Sequence, residues 1–410
     1  MVDYPKDWRE VDLINIANTF IGLVTTMTSN YTNDGAKLIR NQDIQNNKFI
    51  FKENIYLNRE FAELNKSRMH KLGDVVTVHT GDIGTSAVIE ESLVGSLGFA
   101  TIVTRLDKKI ADPYFISCYF NSQHYKEYVM SIMTGDGRNN LNMRDFNKTR
   151  LMLPSLPEQK AIAETLMAFD RHIENLERII EKKKMICDGA VEDLMTGKER
   201  LDGFKGDWED IIIGNLCYIV TKQTGFDYTN YIKESLKKSK TEMDIPFIQN
   251  KDFAIRQVNM NTDYYIPLNV AEKFPKILLD EKCLLISISG KVGNVGIYEQ
   301  NKKAFLGGAI CVLKFFDKEY IDWIMYYLSS KKGMENLVKN EKKSSHKNLT
   351  VSDIRKISIP IPHASERKAT INILDKMIAE IQTLEKEKAK IEKIKAGAMD
   401  DLLTGRVRLI

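Results

Sequence analysis

The chain of 410 residues consists of two copies of one sequence pattern. Asp7-Trp8 near the start returns as Asp207-Trp208, and Ile39–Asp43 is matched by Ile248–Asp252, 209 positions later. From position 140 to position 201 the two copies align at an offset of 208 without a gap. A period near 200 is far longer than the roughly 20 to 50 residues of a solenoid unit. The pattern therefore predicts two whole modules in tandem.

Composition places the chain among ordinary folded proteins. Hydrophobic residues make up 43% and charged residues 28%, which is enough to build cores and excludes bulk disorder. No apolar run approaches the roughly 18 residues of a membrane span, and we expect neither a span nor a secretory signal. The five cysteines form no C-x-x-C pair, which favours a reducing cytoplasm over a disulfide framework. The net charge of +4 permits a nucleic-acid partner without indicating one.

Each module ends in a segment with the periodicity of a long helix. Ser155 followed by Glu158 is typical of a helix start, and Gly197 and Gly405 follow the last apolar residues, as glycine does beyond a helix end. The apolar residues recur at alternating spacings of four and three, which predicts a coiled-coil seam. The predicted seam consists of Ile162, Leu166, Phe169, Ile173, Leu176, Ile180, Leu374, Met377, Ile381, Leu384, Ile391 and Leu402. Because one such helix cannot bury its own stripe, we expect the two to pack as an antiparallel pair.

The part of each module before the helix has mixed strand and helix signals. In the first copy, β-branched residues over 74–80 precede Gly81-Asp82-Ile83-Gly84 and a second short strand, and Gly290-Lys291-Val292-Gly293 stands in the same place in the second copy. Aromatic helices are predicted after Tyr114 and around Trp323. The predicted class is α+β, with two mixed α/β domains at 1–153 and 201–361 separated by helical regions at 154–200 and 362–410.

The sequence contains no recognisable catalytic constellation. It lacks a phosphate-binding G-x-x-x-x-G-K-[ST] loop and a G-x-S-x-G nucleophile elbow, and its six histidines lack metal-ligand spacing. Asp112-Pro113-Tyr114 is explained better as a helix cap than as part of a methyltransferase loop. Glu158 and Glu366 fit the E-x-K spacing of many nucleases, but first-turn carboxylates that favour the helix dipole are the simpler interpretation. We therefore predict no catalytic residue and no metal ligand.

Polar and glycine-rich segments recur before the helices, and each has two interpretations. The glycine pairs are either tight turns or loops that let the backbone approach a phosphate. The segments 135–140 and 342–348 are either solvated loops or basic grips on a phosphate backbone, with side chains that reach base edges. The candidate DNA-contacting residues are Arg40, Asn41, Gly81, Asp82, Gly84, Thr85, Arg138, Asn139, Arg144, Gln249, Asn250, Lys251, Gly290, Lys291, Gly293, Asn294, Lys342, Lys343, His346 and Lys347.

In the order of these features the chain resembles the specificity subunits of type I restriction–modification systems. The features are the tandem halves, the opening Asp-Trp, a strand-Gly-x-x-Gly-strand element in each half, the helix entry at Glu158-Gln159-Lys160 and the closing Leu-x-Thr-Gly segments. The second helix entry departs slightly, with Ser365-Glu366-Arg367 in place of Pro157-Glu158-Gln159. The resemblance covers essentially the whole chain.

The resemblance implies that each globular part is a target recognition domain for one half of a bipartite, asymmetric double-stranded DNA site. It implies that the helices set the half-site spacing and dock two methyltransferase (modification) subunits, which carry S-adenosylmethionine. Restriction subunits, with ATP and Mg²⁺, would join them, and this chain would be a non-catalytic subunit without a cofactor. Two other functions remain open from the residues alone, namely a coiled-coil scaffold without a DNA role and a self-contained DNA-modifying enzyme.

Overall fold

The computed structural model describes residues 4–132, 140–253, 256–339 and 349–409. The chain divides into two compact units, one formed by Met1–Arg178 with Glu385–Ile410 and the other by Ile179–Leu384. Each long helix contributes one part to each unit. The chain is therefore α+β with two similar units.

The first unit contains strands β1 to β12 and helices α1 to α5. The strands are β1 Arg9–Asp12, β2 Ala17–Ile21, β3 Tyr31–Thr32, β4 Ala36–Arg40, β5 Ile44–Gln45, β6 Lys48–Phe49, β7 Tyr56–Leu57, β8 Val75–Val78, β9 Ser86–Val88, β10 Leu97–Phe99, β11 Thr101–Leu106 and β12 Arg150–Leu153. The helices are α1 Leu13–Ile16, α2 Arg59–Leu64, α3 Pro113–Phe120, α4 Gln123–Ile132 and α5 Met143–Phe146, followed by α6 Leu156–Thr196. One sheet has the order β2-β11-β8-β9 and another the order β10-β4-β7-β3.

The second unit contains strands β13 to β23 and helices α7 to α12. The strands are β13 Glu209–Ile212, β14 Cys217–Lys222, β15 Asp244–Ile248, β16 Arg256–Gln257, β17 Tyr265–Pro267, β18 Leu278–Leu279, β19 Cys283–Ser287, β20 Val295–Tyr298, β21 Ala304–Leu306, β22 Ile310–Phe315 and β23 Ser358–Ile361. The helices are α7 Ile213–Leu216, α8 Gly225–Asp227, α9 Leu268–Ala271, α10 Ile321–Ser329, α11 Lys331–Val338 and α12 Val351–Arg355, followed by α13 Ala364–Leu403. Its sheets have the orders β14-β22-β19-β20-β16 and β17-β15-β21-β18.

The two units share the pairing of their central strands and differ in their edge strands. The predicted strand-glycine loop-strand elements are antiparallel pairs, β8 with β9 and β19 with β20, each joined by the glycine loop. Both units also contain a parallel pair, β4 with β10 in the first and β15 with β21 in the second. The aromatic helices are α3 and α10, and their aromatic residues supply much of the buried core behind each sheet. Asp112 caps α3 by accepting hydrogen bonds from the backbone of Tyr114 and Phe115 at 3.0 Å, as predicted.

The long helices begin and end where the sequence predicts. The Ser155 hydroxyl accepts a hydrogen bond from the Glu158 backbone N–H at the start of α6. Gly197 and Gly405, each with a positive φ, lie just beyond the ends of α6 and α13. A side chain is disfavoured in this conformation, so glycine is the residue that ends both helices at low cost.

Within each unit the parts of α6 and α13 run antiparallel. Among the predicted seam residues, one group is buried, namely Ile162, Leu166, Leu176, Ile180, Leu374, Ile381 and Leu402. The other group is half-buried, namely Phe169, Ile173, Met377, Leu384 and Ile391. Two lysines, Lys183 and Lys388, stand between apolar residues of the seam. Each forms an ion pair with the other helix, Lys388 with Glu177 at 2.8 Å and Lys183 with Glu380 at 2.7 Å.

Candidate nucleic-acid interface

A cleft of about 940 Å³ opens in the first unit beside the glycine loop. Its walls come from the turn after β4, the loop after β8 and the turn between β10 and β11. The structure thereby brings two pairs of predicted residues that are separated in the chain into one cleft. One pair is Arg40 and Asn41, and the other is Gly81 and Asp82. The cleft is a concave surface lined by both polar and apolar side chains.

The glycines of both loops have turn geometry. Gly81 and Gly84 have φ values of 101° and 86°, and Gly290 and Gly293 have values of 77° and 89°. These angles lie in the region that side chains disfavour, so turn formation by itself explains why glycine is present. The buried Thr85 hydroxyl donates to the exposed Asp82 carboxylate at 2.7 Å and holds it at the rim.

Equivalent asparagines tie the walls of each cleft together. In the first unit the Asn41 side-chain carbonyl accepts from the His79 backbone N–H at 3.3 Å. In the second unit the Asn250 amide donates to the Ser289 carbonyl at 2.9 Å and to the Lys291 carbonyl at 3.2 Å. Asn294 donates to the Asn250 side-chain oxygen at 3.2 Å. These amides therefore fix the loop whose side chains face the cleft.

A buried carboxylate orders the turn that leads into each asparagine. Asp43 accepts from the Arg40 backbone N–H at 2.9 Å and from its guanidinium at 3.0 and 3.1 Å, and Glu53 lies 3.4 Å from the same guanidinium. In the second unit Asp252 accepts from the Gln249 backbone N–H at 2.7 Å. Arg40 is thus a positioned donor on the wall of the cleft.

The residues that follow the two predicted pre-helix segments lie next to the same loops. Arg138, Asn139, Lys342, Lys343, His346 and Lys347 lie outside the described residues. Just beyond them, the Leu141 backbone N–H donates to the His79 carbonyl and the Leu349 N–H to the Ile288 carbonyl, each at 3.0 Å. Arg144 is exposed on α5, close behind. Leu141 and Leu349 therefore lie beside the glycine loop of their own unit.

The second unit has a cleft in the equivalent place, with different side chains. Its cleft, of about 280 Å³, is lined by Gln249, Asn250, Lys251 and the Gly307-Gly308-Ala309 turn. The replacements at equivalent positions are Arg40 by Gln249, Gln42 by Lys251, Asp82 by Lys291 and Phe99 by Gly308. A common backbone therefore presents two different sets of hydrogen-bond donors and acceptors.

Local charge and burial set the protonation of several groups at the clefts. Burial lowers the pKa of the half-buried His79 imidazole, so it is neutral at pH 7. A hydrogen bond to Asp263 raises the pKa of Lys251, and burial raises the pKa of Asp252. Among the described residues, the exposed Lys291 of the second glycine loop forms no ion pair.

Several residues that line the first cleft were not among the sequence-predicted candidates. They are Gln42, Ile44, Gln45, Asn46, Val78, Thr80, Phe99 and Ala100. Gln42 and Phe99 had a detectable signal, because they are positions inside well-aligned segments at which the two copies differ. The others follow from the path of the backbone, which no local pattern encodes.

The two E-x-K glutamates have a structural role. Glu158 is buried and accepts from the Arg408 guanidinium at 2.8 Å, and Arg408 also binds Asp7. Glu366 is buried and accepts from Arg200 at 2.8 Å. The helix-dipole interpretation is therefore incomplete, since each carboxylate pairs with the arginine of a closing Thr-Gly segment.

The described ranges contain no group of three or more His, Cys, Asp or Glu residues placed to hold a metal ion. No helix in the same ranges is both long and apolar enough to cross a membrane.

The comparisons with known proteins agree with the duplicated architecture. The profile of the family described as "Type I restriction modification DNA specificity domain" matches residues 5–183 and again residues 205–393. The chain is 25% identical over 336 residues to the type I restriction enzyme MjaVIII specificity subunit of Methanocaldococcus jannaschii, covering 77% of this chain and 75% of the relative. It is 23% identical over 409 residues to the EcoKI specificity subunit of Escherichia coli K12, covering 93% and 84%.

A solved structure has the same fold. The S subunit of a type I restriction–modification system from M. genitalium matches with a TM-score of 0.58 and 15% identity, covering 98% of this chain and 97% of that one. At that identity the match concerns the fold alone. The family profile, however, accounts for both copies of the repeat and for most of the chain. The chain therefore belongs to the type I restriction–modification DNA specificity family.

Proposed function

We propose that each cleft reads one half of a bipartite, asymmetric DNA site and that the chain is the sequence-recognition subunit of a type I restriction–modification complex. The observation that carries the proposal is the recurrence of one cleft with different side chains. The two clefts have the same backbone arrangement but different hydrogen-bond donors and acceptors. This suits two half-sites of different sequence, because bases are distinguished by their patterns of donors and acceptors.

Affinity and selectivity come from different groups in this proposal. The exposed Arg144 and the lysines of the segment 342–348 would offset phosphate charge, which gives salt-dependent binding without sequence preference. Asp82 and Gln42 line the first cleft, Lys291 is exposed on the equivalent loop of the second unit, and all three would contact base edges. Joining two weak readers in one chain makes the second contact intramolecular, so binding to a complete site is tighter than to either half.

The helix pair has two roles in this proposal. It sets the separation of the half-sites, and it docks two modification subunits. Each of the two helices is 40 or 41 residues long and is paired through buried apolar residues and cross-helix ion pairs. Apolar side chains on the outer faces, including Ile179, Met185, Ile186 and Ile394, are exposed and could be covered by a partner.

The chemistry belongs to partner subunits in this proposal. Modification subunits would hold S-adenosylmethionine and methylate adenine, restriction subunits would use ATP and Mg²⁺, and this cytoplasmic chain would be non-catalytic and without a cofactor. The absence of catalytic motifs from the sequence supports this division.

Mapping methylated bases in the host genome, with this gene intact and deleted, tests the proposal. We expect deletion to remove one bipartite adenine mark, because the modification subunits then lack a reader. An unchanged methylome, together with no sequence-selective DNA binding by the assembled complex, would favour the scaffold. Methylation or cleavage of DNA by the purified chain alone would favour a self-contained enzyme.

Replacing the asparagine that ties each cleft should weaken one half-site at a time. In Asn250→Leu the loop that carries Lys291 loses three hydrogen bonds, so we expect discrimination at one half-site to fall by about 10- to 100-fold, as for the loss of one base contact. Asn41→Leu is the matched variant and should affect the other half-site only. Binding of the complex to duplexes with either half scrambled measures both effects. Loss of discrimination at both halves in either variant would contradict independent clefts.

A further inference from the structure

One position in each unit has a positive φ that is unfavourable for most residues other than glycine. Asn47 lies in the turn between β5 and β6 with φ 58°, and Arg256 lies 209 positions later with φ 60°. A residue other than glycine in this region carries a conformational cost of about 1 kcal/mol or more, unless its surroundings hold it there. Both units keep this conformation although the side chain differs, which indicates that the position has a role in each.

In the first unit Asn47 joins the hairpin to the long helices. Its amide donates to the Asp170 carboxylate of α6 at 3.3 Å, and Asp170 forms an ion pair with Lys395 of α13. Its side-chain oxygen accepts from Ser117 at 2.8 Å and from Asn121 at 2.9 Å. The next residue, Lys48, pairs with Glu174 of α6 at 3.1 Å.

In the second unit Arg256 makes the equivalent junction with other chemistry. Its guanidinium lies over the ring of Tyr326, 4.2 Å from the centroid, and Tyr326 donates to Asp375 of α13. Burial raises the pKa of the Cys187 thiol of α6, and the positive charge of Arg256 opposes that shift. Tyr326 is the counterpart of Ser117 and Cys187 that of Lys395. In the first unit the charged pair is on the helices, and in the second unit the positive charge is on Arg256 of β16.

We infer that Asn47 is a positioning residue that holds the reading cleft of the first unit at a fixed place on the helix pair. The inference rests on the proposed function. Ile44, Gln45 and Asn46 line the first cleft, and Asn47 and Lys48 follow them directly and contact the helices. With so few residues between cleft and helix, a displaced junction displaces the wall that reads DNA.

The variant Asn47→Asp tests the junction in the first unit. It preserves the shape of the side chain and the oxygens that accept from Ser117 and Asn121, but it places a second carboxylate against Asp170. Like charges at that distance repel. The double variant Asn47→Asp with Asp170→Asn again places one amide and one carboxylate next to Lys395. Asn175→Asp is the control, since it adds the same negative charge at an exposed position of α6, the helix that carries Asp170.

The measurement is binding of the complex, with its modification subunits, to duplexes whose two half-sites are separated by the preferred gap or by one base pair more or less. In Asn47→Asp we expect the preference for the correct gap to fall by about tenfold, a 1.4 kcal/mol change, while preference for the half-site bases is kept. The double variant should recover the preference, and Asn175→Asp should match the wild type. If Asn47→Asp does not fold, Asn47→Gly keeps the backbone conformation without the side chain and should show the same relaxed gap preference.

Equal weakening at every gap, or an unchanged preference, would overturn the inference, because a residue that only stabilises the unit would affect all duplexes alike. A wild-type complex with no gap preference would instead overturn the proposed function. The two failures are therefore distinguishable.

Discussion

Insertion of four residues into both long helices, where each passes from one unit to the other, should lengthen the preferred gap by about two base pairs. Four residues add about one turn, or 6 Å at 1.5 Å per residue, and base pairs are stacked at about 3.4 Å. One added turn nearly preserves the direction of the apolar seam, so the pair can still close. The shift in the preferred gap is measured by letting the assembled complex methylate a library of duplexes that differ in gap length.

The expected effect is large because a rigid reader binds a mismatched gap through one half-site only. The original gap should then lose about 10²-fold or more in affinity, the lower end of the gain from joining two contacts in one molecule. Insertion of four residues into the loop around Gly203, which lies outside both helices, is the control and should leave the gap unchanged. Retention of the original gap by the helix variant would show that the helices do not set the spacing.

Replacement of Arg105 by alanine should destabilise the first unit by about 3 to 5 kcal/mol, the usual cost of stranding a buried charge. Arg105 on β11 makes two hydrogen bonds to the Asp74 carboxylate, at 2.9 and 2.7 Å, and a third to the Met69 carbonyl. The Asp74 side chain is 2% exposed, so water cannot replace the lost partner. Urea unfolding measures the loss of free energy of unfolding. Hydrogen exchange of the β8 and β11 amides is the second measurement.

Arg59→Ala is the matched control. Arg59 pairs with Asp34 at 3.1 Å in the same unit, but both side chains are more than 80% exposed. An exposed pair contributes about 1 kcal/mol or less, so this variant should unfold almost as the wild type does. Equal losses in the two variants would mean that burial of Asp74 is not the source of the stability.

Sequence periodicity predicted much of the fold because its causes are local. The end of α6 follows from a glycine at position 197 that adopts positive φ, and its start from a serine cap at position 155. The alternating spacing of apolar residues indicated which face of each helix would be covered. The duplication predicted that whatever topology one half has, the other would share, and the paired strands of both units agree.

The candidate site was predicted in part. The sequence picked out the positions around Arg40, Asn41 and Gly81 that line the first cleft, but it could not assign their roles. DNA contact by Asn41 and Asn250 remains a prediction, whereas the structure shows their amides holding the loops. Asn47 and Arg256 were not predicted at all, because the two copies share a backbone conformation there and no residue type.

Helix length, repeat topology and the covered helix faces depend on neighbours within a few turns or on the alignment of the two copies, and these could be inferred from the chain as written. Which polar side chains are engaged inside the protein, and which face a cleft, depends on partners such as Ser289 for Asn250 or Asp170 for Asn47. Those partners lie 39 and 123 positions away. Their meeting is decided by the path of the folded backbone, because a hydrogen bond forms only between groups that the fold brings within about 3 Å of each other.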